Sequence, residues 1–298
     1  MSSIPNVFAD LSNSLADHVA LAAPRVVALQ MRHGRHLTAT LWREDLIIAS
    51  EQALPQRDTF PVVLSDGSEA EATLLGRDDG SNIALLRLST ATALTTPAAG
   101  TLRTGGLALA VGARKDGAAT ACLGVVNQVG PAWHSSHGGK IDAHIKLDLG
   151  MAYSEEGGPV VAPDGGIVGM STFGPRGQVM VIPHATIERV IPDLLKGGRV
   201  ARGWLGAALQ PVAVPETDGK GPARGFMVMS VSEGAPAAVG GLVPGDILIA
   251  FAGQPVGRLA RLASHLGPDS IGKPLELSVL RGGAVQTITV TITERPAE

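Results

Sequence analysis

From Val26 to Ile182 the chain is a succession of short apolar runs cut by turn signals, with no helical period between them. The first group is Val26 to Met31, Leu37 to Trp42, Leu46 to Ala49, Phe60 to Leu64, Ala70 to Leu75 and Ile83 to Leu88, with Asp66-Gly67 and Asp79-Gly80 marking turns. The second is Leu107 to Val111, Ala121 to Val129, Ala143 to Leu147, Pro159 to Ala162, Ile167 to Thr172 and Gln178 to Ile182. About six strands in each group, uninterrupted by helices, predict a mainly β chain with two successive antiparallel barrels. Helical signals flank this stretch. Phe8, Leu11, Leu15 and Val19 recur every three or four residues, and Thr186 to Leu195 is closed by Lys196-Gly197-Gly198. After Arg202, strands Phe226 to Val231, Ile247 to Phe251, Leu275 to Leu280 and Thr287 to Ile292 surround two short helical stretches, Ala235 to Gly240 and Arg258 to Leu266. This is the pattern of a small α+β domain, with Pro211 to Pro222 read as an exposed loop. The expected division is a helical segment at 1–24, the double barrel at 25–198 and the small domain at 199–298.

Composition narrows the function classes. Charged residues are 17% of the 298 and the net charge is −3, so no broad basic surface exists to neutralise phosphates and nucleic acid is not an expected partner. Aromatics are only 3%, which leaves the core to Val, Leu, Ile and Ala. The single cysteine, Cys122, cannot form an internal disulfide and lies in an apolar strand, so it is read as a buried, inert thiol. Apolar stretches such as Leu107 to Ala113 are too short to span a bilayer. No Lys or Arg precedes Arg25, and Asp10 and Asp17 interrupt the opening segment, from which a cytoplasmic protein without a secretory leader is expected.

Two motifs carry a family resemblance. Gly241-Leu242-Val243-Pro244-Gly245-Asp246-Ile247-Leu248, followed by Phe251-Ala252-Gly253-Gln254-Pro255-Val256, resembles a PDZ domain of the type attached to bacterial proteases. Gly198 to Gly206 resembles the junction between protease and PDZ domain in the HtrA (DegP-like) serine proteases. Leu64-Ser65-Asp66-Gly67, Gly76-Arg77-Asp78, Asp164 to Gly169 and Val181-Ile182-Pro183 are similar to runs of that family. The resemblance covers roughly residues 8 to 295 and implies a trypsin-like double β-barrel followed by one PDZ domain.

It also implies where a catalytic triad should stand. A serine protease needs a hydroxyl nucleophile, an imidazole to take its proton and a carboxylate to hold the imidazole. The matching positions carry Gln52 for the histidine, Asn82 for the aspartate and Glu156, just before Gly157-Gly158-Pro159, for the serine. An amide neither accepts nor shuttles a proton near neutral pH, and a carboxylate is a poor acyl acceptor. A Glu156 carboxylate is also expected to crowd the backbone N–H groups that would stabilise an oxyanion. The usual Gly-Ser-Gly before the second strand is replaced near His36-Leu37-Thr38. The resemblance thus implies a catalytically inactive relative, a scaffold or chaperone-like binder without cofactor or resident metal. Its PDZ domain would take protein C-termini or extended segments, and its N-terminal stripe would join a homotrimer. The matching peptide-binding positions are Trp204, Leu205, Gly206 and Ala207 in the carboxylate loop, with Leu262 and Leu266 on the facing helix.

Other residues allow rival readings. Ser154 is weighed as a displaced nucleophile against a turn serine. Glu155 and Glu156 with Asp148, or the loop histidines His134 and His137 with His144 beyond and the similarly spaced His33 and His36, are weighed as metal ligands against solvated loops. An active HtrA-type endopeptidase is the main alternative function, a metal-binding protein the lesser one.

Overall fold

The computed structural model describes residues 6–214, 223–256 and 265–296. The chain divides into two compact units, Met1–Trp133 with Ile141–Arg199, and His134–Lys140 with Val200–Glu298.

In the first unit, helix α1 (Val7–Ala22) opens the chain, and Asn6 caps it by accepting from the Ala9 N–H. Strands β1 (Val26–Gln30), β2 (His36–Arg43), β3 (Leu46–Ser50), β4 (Thr59–Leu64), β5 (Glu69–Asp78) and β6 (Ile83–Leu88) close into a barrel of order β1-β2-β3-β6-β5-β4. Strands β7 (Leu107–Ala113) and β8 (Ala119–Gly130) come next; the short pair β9 (Trp133–His134) and β10 (Lys140–Ile141) brackets the stretch assigned to the second unit, and the first unit goes on with β11 (His144–Asp148), β12 (Pro159–Val161), β13 (Ile167–Phe173) and β14 (Val179–Pro183). The second barrel has the order β11-β14-β13-β12-β7-β8. Read from β7, this repeats the connectivity of the first barrel strand for strand. Every neighbouring pair is antiparallel, and closure leaves neither barrel with an edge.

Each barrel is filled by its inward-facing residues. Val27, Leu29, Leu41, Ile47, Phe60 and Leu86 are among those in the first, and Val126, Ile145, Leu147, Val160, Val168 and Val181 in the second. The barrel closes with Thr38 where the resembled family has its Gly-Ser-Gly. The Thr38 hydroxyl accepts from the Ala113 N–H at 2.8 Å and donates to the Ser154 carbonyl at 2.8 Å. Helix α2 (His184–Gly197) is capped by Gly198 in the left-handed conformation and is pinned to β2, where Glu188 accepts from the Trp42 indole and pairs with Arg43. In α1, Leu11, Leu15 and His18 face Leu107–Leu109 and Val161–Pro163 of the second barrel, whereas Phe8 is 81% exposed.

In the second unit, β15 (Gly203–Trp204) pairs with β22 (Thr293–Glu294). The main sheet runs β16 (Ala207–Val214), β17 (Ala223–Val231), β18 (Ile247–Phe251), β20 (Pro274–Arg281) and β21 (Ala284–Thr291), with β19 (Gln254–Pro255) paired to β18. Helix α3 (Pro236–Val239) is a single turn. The core is Leu205, Phe226, Val228, Leu248, Phe251, Leu277 and their neighbours. One expectation is corrected here. Pro211 to Val214 belong to strand β16, with Pro211 opposite Phe226, and do not begin an exposed loop. A proline fits because β16 is an edge strand, where a missing N–H breaks no ladder on the open side. Residues 215–222, and most of the expected helix Arg258 to Leu266, lie outside the described residues.

Candidate functional site

Gln52, Asn82 and Glu156 come from separate elements and meet in the first unit. Gln52 sits in the 3-10 turn Glu51–Ala53 after β3. Asn82 ends the turn between β5 and β6 with φ of 57°, a left-handed conformation that Asn tolerates better than most residues. Buried Asp78 builds that turn by accepting from the Ser81 hydroxyl at 2.5 Å and the Ser81 N–H at 3.0 Å. Glu156 comes from the second barrel, between the 3-10 turn Tyr153–Glu155 and β12. The loop is anchored by Thr38 at Ser154 and by Thr40, whose hydroxyl donates to the Gly157 carbonyl at 2.8 Å. Gly157 itself has φ of 99°, and a Cβ there would stand 2.2 Å from the Thr38 carbonyl oxygen, so the sharp turn requires glycine.

Glu156 is 5% exposed and lies at the centre of a closed hydrogen-bond network. Its Oε1 accepts from Ser50 Oγ at 2.7 Å, Gln52 Nε2 at 2.6 Å, Thr172 Oγ1 at 2.7 Å and the Phe173 N–H at 3.2 Å. Asn82 Nδ2 donates to Thr172 Oγ1 at 2.8 Å and to Ser50 Oγ at 3.0 Å, while its Oδ1 accepts from the Gln52 N–H at 2.8 Å. Gln52 Nε2 also lies within reach of Thr172 Oγ1 and the Phe173 carbonyl, at 3.0 and 2.9 Å. A buried carboxylate is tolerable when hydrogen-bond donors converge on it, as four do here on Oε1. Ser50, Thr172 and the Phe173 amide were not candidates from sequence. The one signal for them was a hydroxyl at the end of an otherwise apolar run, as in Leu46 to Ser50 and Ile167 to Thr172.

The amide that reaches the Glu156 carboxylate is that of Phe173 on β13, and the N–H groups of the 155–157 loop are engaged elsewhere. Glu155 N–H donates to the Ala152 carbonyl at 2.9 Å, Glu156 N–H to Tyr153 at 3.4 Å and Gly157 N–H to Ser171 at 2.9 Å. The 3-10 turn takes up the first two of these donors, and β13 takes the third.

The adjacent carboxylates diverge. Glu155 turns away to accept from Thr120 Oγ1 at 2.6 Å and the Ala152 N–H at 2.8 Å, and Asp148 is exposed. Cys122 is half-buried, not buried as expected, and its Sγ faces Glu155 Oε2 at 3.7 Å. Desolvation first, and the Glu155 charge second, push its thiol above the ordinary value, which disfavours the reactive thiolate. His33 and His36 are not brought together as a pair of ligands. His33 is exposed in a turn, and His36 Nε2 contacts the Ala113 carbonyl at 2.9 Å. His144 packs edge-on against Trp133 at 5.2 Å, and burial, helped by Lys146, holds its pKa below the usual histidine range. His137 lies in the tight turn in which Gly138 N–H donates to the Ser135 carbonyl at 3.1 Å. Among the described residues no group of three or more His, Cys, Asp or Glu is placed to hold a metal ion.

In the second unit, Gly206 has φ of 75°, and a Cβ there would lie 2.2 Å from that of Ala235. The carbonyls of Leu205 and Gly206 accept from the Ala237 and Ser232 N–H groups at 2.9 and 2.8 Å. Among the described residues the N–H groups of Leu205 and Gly206 have no hydrogen-bond partner. Trp204 is half-buried, the Leu205 side chain fills the core, and Ala207 begins edge strand β16. Leu266 is half-buried against the same core, and its carbonyl accepts from the Gly203 N–H at 2.9 Å, whereas Leu262 lies outside the described residues. Asp246 of the Gly-Asp-Ile-Leu motif is buried and holds the turn. It accepts from Arg281 Nε and Nη2, both at 2.7 Å, and from the Val243 N–H at 3.0 Å.

Comparison with known proteins agrees with this architecture. Residues 37–170 match the trypsin-like peptidase domain family and residues 203–292 the PDZ domain family. Similar curated proteins bear the name probable periplasmic serine endoprotease DegP-like. That of Rhizobium meliloti (strain 1021) is 27% identical over 263 residues, which cover 85% of this chain and 52% of the relative. That of Pseudomonas fulva (strain 12-X) is 30% identical over 267 residues, covering 86% and 55%. The chain therefore spans about half the length of the curated relatives it matches. Among solved structures, the HtrA-type protease AlgW with tripeptide is 26% identical with a TM-score of 0.73, over 95% of this chain and 98% of that one. The serine endoprotease from Yersinia pestis, 23% identical with a TM-score of 0.74 over 99% and 100%, shares the fold. Two barrels of repeated connectivity, a following PDZ sheet and these matches together make the chain a member of the HtrA-like family, with a trypsin-like peptidase domain followed by a PDZ domain.

Proposed function

We propose that this chain is a non-cleaving member of its family that binds protein segments through its PDZ domain. The observation that carries the reading is the buried Glu156 carboxylate, held by Ser50, Gln52, Thr172 and Phe173 where the family resemblance places the nucleophile. Gln52 turns N–H donors into the site, so the group standing for the general base offers no lone pair to a proton. The Glu156 N–H, one of the amides that would meet an oxyanion, is directed to the Tyr153 carbonyl at 3.4 Å. In the PDZ domain the unpartnered N–H groups of Leu205 and Gly206 support capture of a terminal carboxylate, and edge strand β16 supports addition of the peptide as a further strand. The relatives solved with a tripeptide or decapeptide add support by analogy.

The test is exposure of unfolded casein to gel-filtered protein for a day, with intact mass as readout and a fluorophosphonate probe in parallel. No fragments and no labelling are expected, and Glu156→Ser alone restores neither, because Gln52 and Asn82 remain. A competing reading as an active endopeptidase draws on the relatives' names and on Ser154 and His36, which line one cavity beside Gln52. Labelling that disappears in Ser154→Ala would establish that reading and end ours. A homotrimer is part of the proposal, supported by the exposed Val7, Phe8 and Leu21 of α1, and is tested by light scattering on a Phe8→Ser variant. The cytoplasmic placement is likewise a proposal without structural support. Cell fractionation tests it, and the relatives' names point to the periplasm.

A further inference from the structure

A cavity of about 760 Å³ opens beside Gln52, Tyr153 and Ser154, and its charge is one-sided. Arg32, Arg35 and Arg57 line it together with Met31, Leu37 and Leu54, and no Asp or Glu is among its lining residues. Arg32 and Arg35 stand at the two ends of a turn closed by the Met31 N–H donating to the Arg35 carbonyl at 2.8 Å, and both are exposed. Arg57 comes from a second loop. Its guanidinium lies over the Phe60 ring at 4.3 Å and donates from Nη2 to the Gln30 carbonyl at 2.6 Å, while its Nε is buried without a partner among the described residues. The nearby acids are occupied or turned out. Glu51 is paired with Arg77 at 3.4 Å, and Asp58 is exposed and does not line the cavity.

Burial, and next the Arg32 charge, hold the Arg57 guanidinium below its ordinary pKa, the mark of a cation with no compensating anion. A bare phosphate prefers donors converging on one point, often the backbone N–H groups of a turn. This cavity instead spreads guanidinium groups over two loops around an apolar floor, with room for several side chains. We infer that it is a binding site for an acidic polypeptide segment, which sets carboxylates against Arg32, Arg35 and Arg57 and an apolar side chain on Met31, Leu37 and Leu54.

The experiment measures fluorescence anisotropy of a short labelled peptide alternating Glu or Asp with Leu or Phe, N-acetylated and C-amidated, added to the full chain. Amidation removes the carboxylate that the PDZ loop would take, so the outcome is independent of the function proposed above. Binding is expected to weaken several-fold as salt rises from roughly 50 to about 300 mM. It should fall about tenfold when Gln and Asn replace the acids, and about tenfold in Arg32→Ala/Arg35→Ala with an unchanged melting temperature. Arg57 is left in place because it packs on Phe60. Equal binding of the neutral peptide, or full affinity in the double variant, would overturn the inference. Displacement of the peptide by equimolar ATP would reassign the cavity to phosphate ligands and overturn it equally.

Discussion

The cleft of the barrels and the carboxylate loop of the PDZ domain treat their polar groups in opposite ways. At Glu156 a carboxylate that could be offered to a ligand is met by four donors of the protein itself, and the N–H groups of residues 155–157 go to carbonyls of their own turn and of Ser171 on β13. At Leu205 and Gly206 the carbonyls are tied down and the N–H groups are left without a partner among the described residues. An unpaired backbone donor is costly when buried and is kept where something else satisfies it. The function proposed above reads this contrast as structural closure in the first region and ligand capture in the second.

The comparison breaks most directly at Glu156. If its network is structural, Glu156→Ala strands Ser50, Gln52, Thr172 and the Phe173 amide and should lower the free energy of unfolding by about 3 kcal/mol in urea titration. A neutral or stabilising result would mark the site as strained in the manner of a working active site. On the PDZ side, Asp246→Asn should cost about 2 kcal/mol, because a buried carboxylate hydrogen-bonded to Arg281 and Val243 is lost. The hydrogen bonds from Arg281, opposed by burial and aided by the Val243 N–H and the Arg281 charge, keep the Asp246 carboxyl below the usual range. Its stabilising contribution is therefore full above roughly pH 4 and is lost as pH falls through the depressed native value. Thermal melts across this acid range should flatten in the variant. An unchanged acid limb would separate Asp246 from the loop's stability.

Amidation of a peptide's free C-terminus should weaken PDZ binding about tenfold, near 1.4 kcal/mol, in titration calorimetry. Equal affinity would mean that the Leu205 and Gly206 amides do not meet the carboxylate, and the contrast would lose its second half. The smallest effect concerns Cys122. Its raised pKa predicts iodoacetamide alkylation slower than that of a free thiol at pH about 8, and Glu155→Gln should speed it by only about twofold, since desolvation outweighs the charge. A larger gain would show that Glu155 dominates this edge of the loop.

The strand runs, the two barrels and helix α2 were legible because apolar alternation and turn residues are local properties. Strand β16 was not. Pro211 beside the polar run that begins at Glu216 looks like the start of a loop, and only pairing with β17, Pro211 opposite Phe226, makes Pro211 to Val214 part of an edge strand. The divergence of Glu155 and Glu156 was legible in part, since adjacent carboxylates rarely share a direction. The destination of each was not, because Thr120 and Thr172 approach from strands far along the chain.

By itself the sequence determined the residue types at the three positions that the resemblance matches to a triad, since no fold turns Gln52 into an imidazole or Glu156 into a hydroxyl. Only the tertiary structure decided what those side chains do instead. Closure of two barrels brings Ser50 and Asn82 within reach of Glu156 and Thr172 across about a hundred residues, and hydrogen bonding depends on distances that no local pattern encodes.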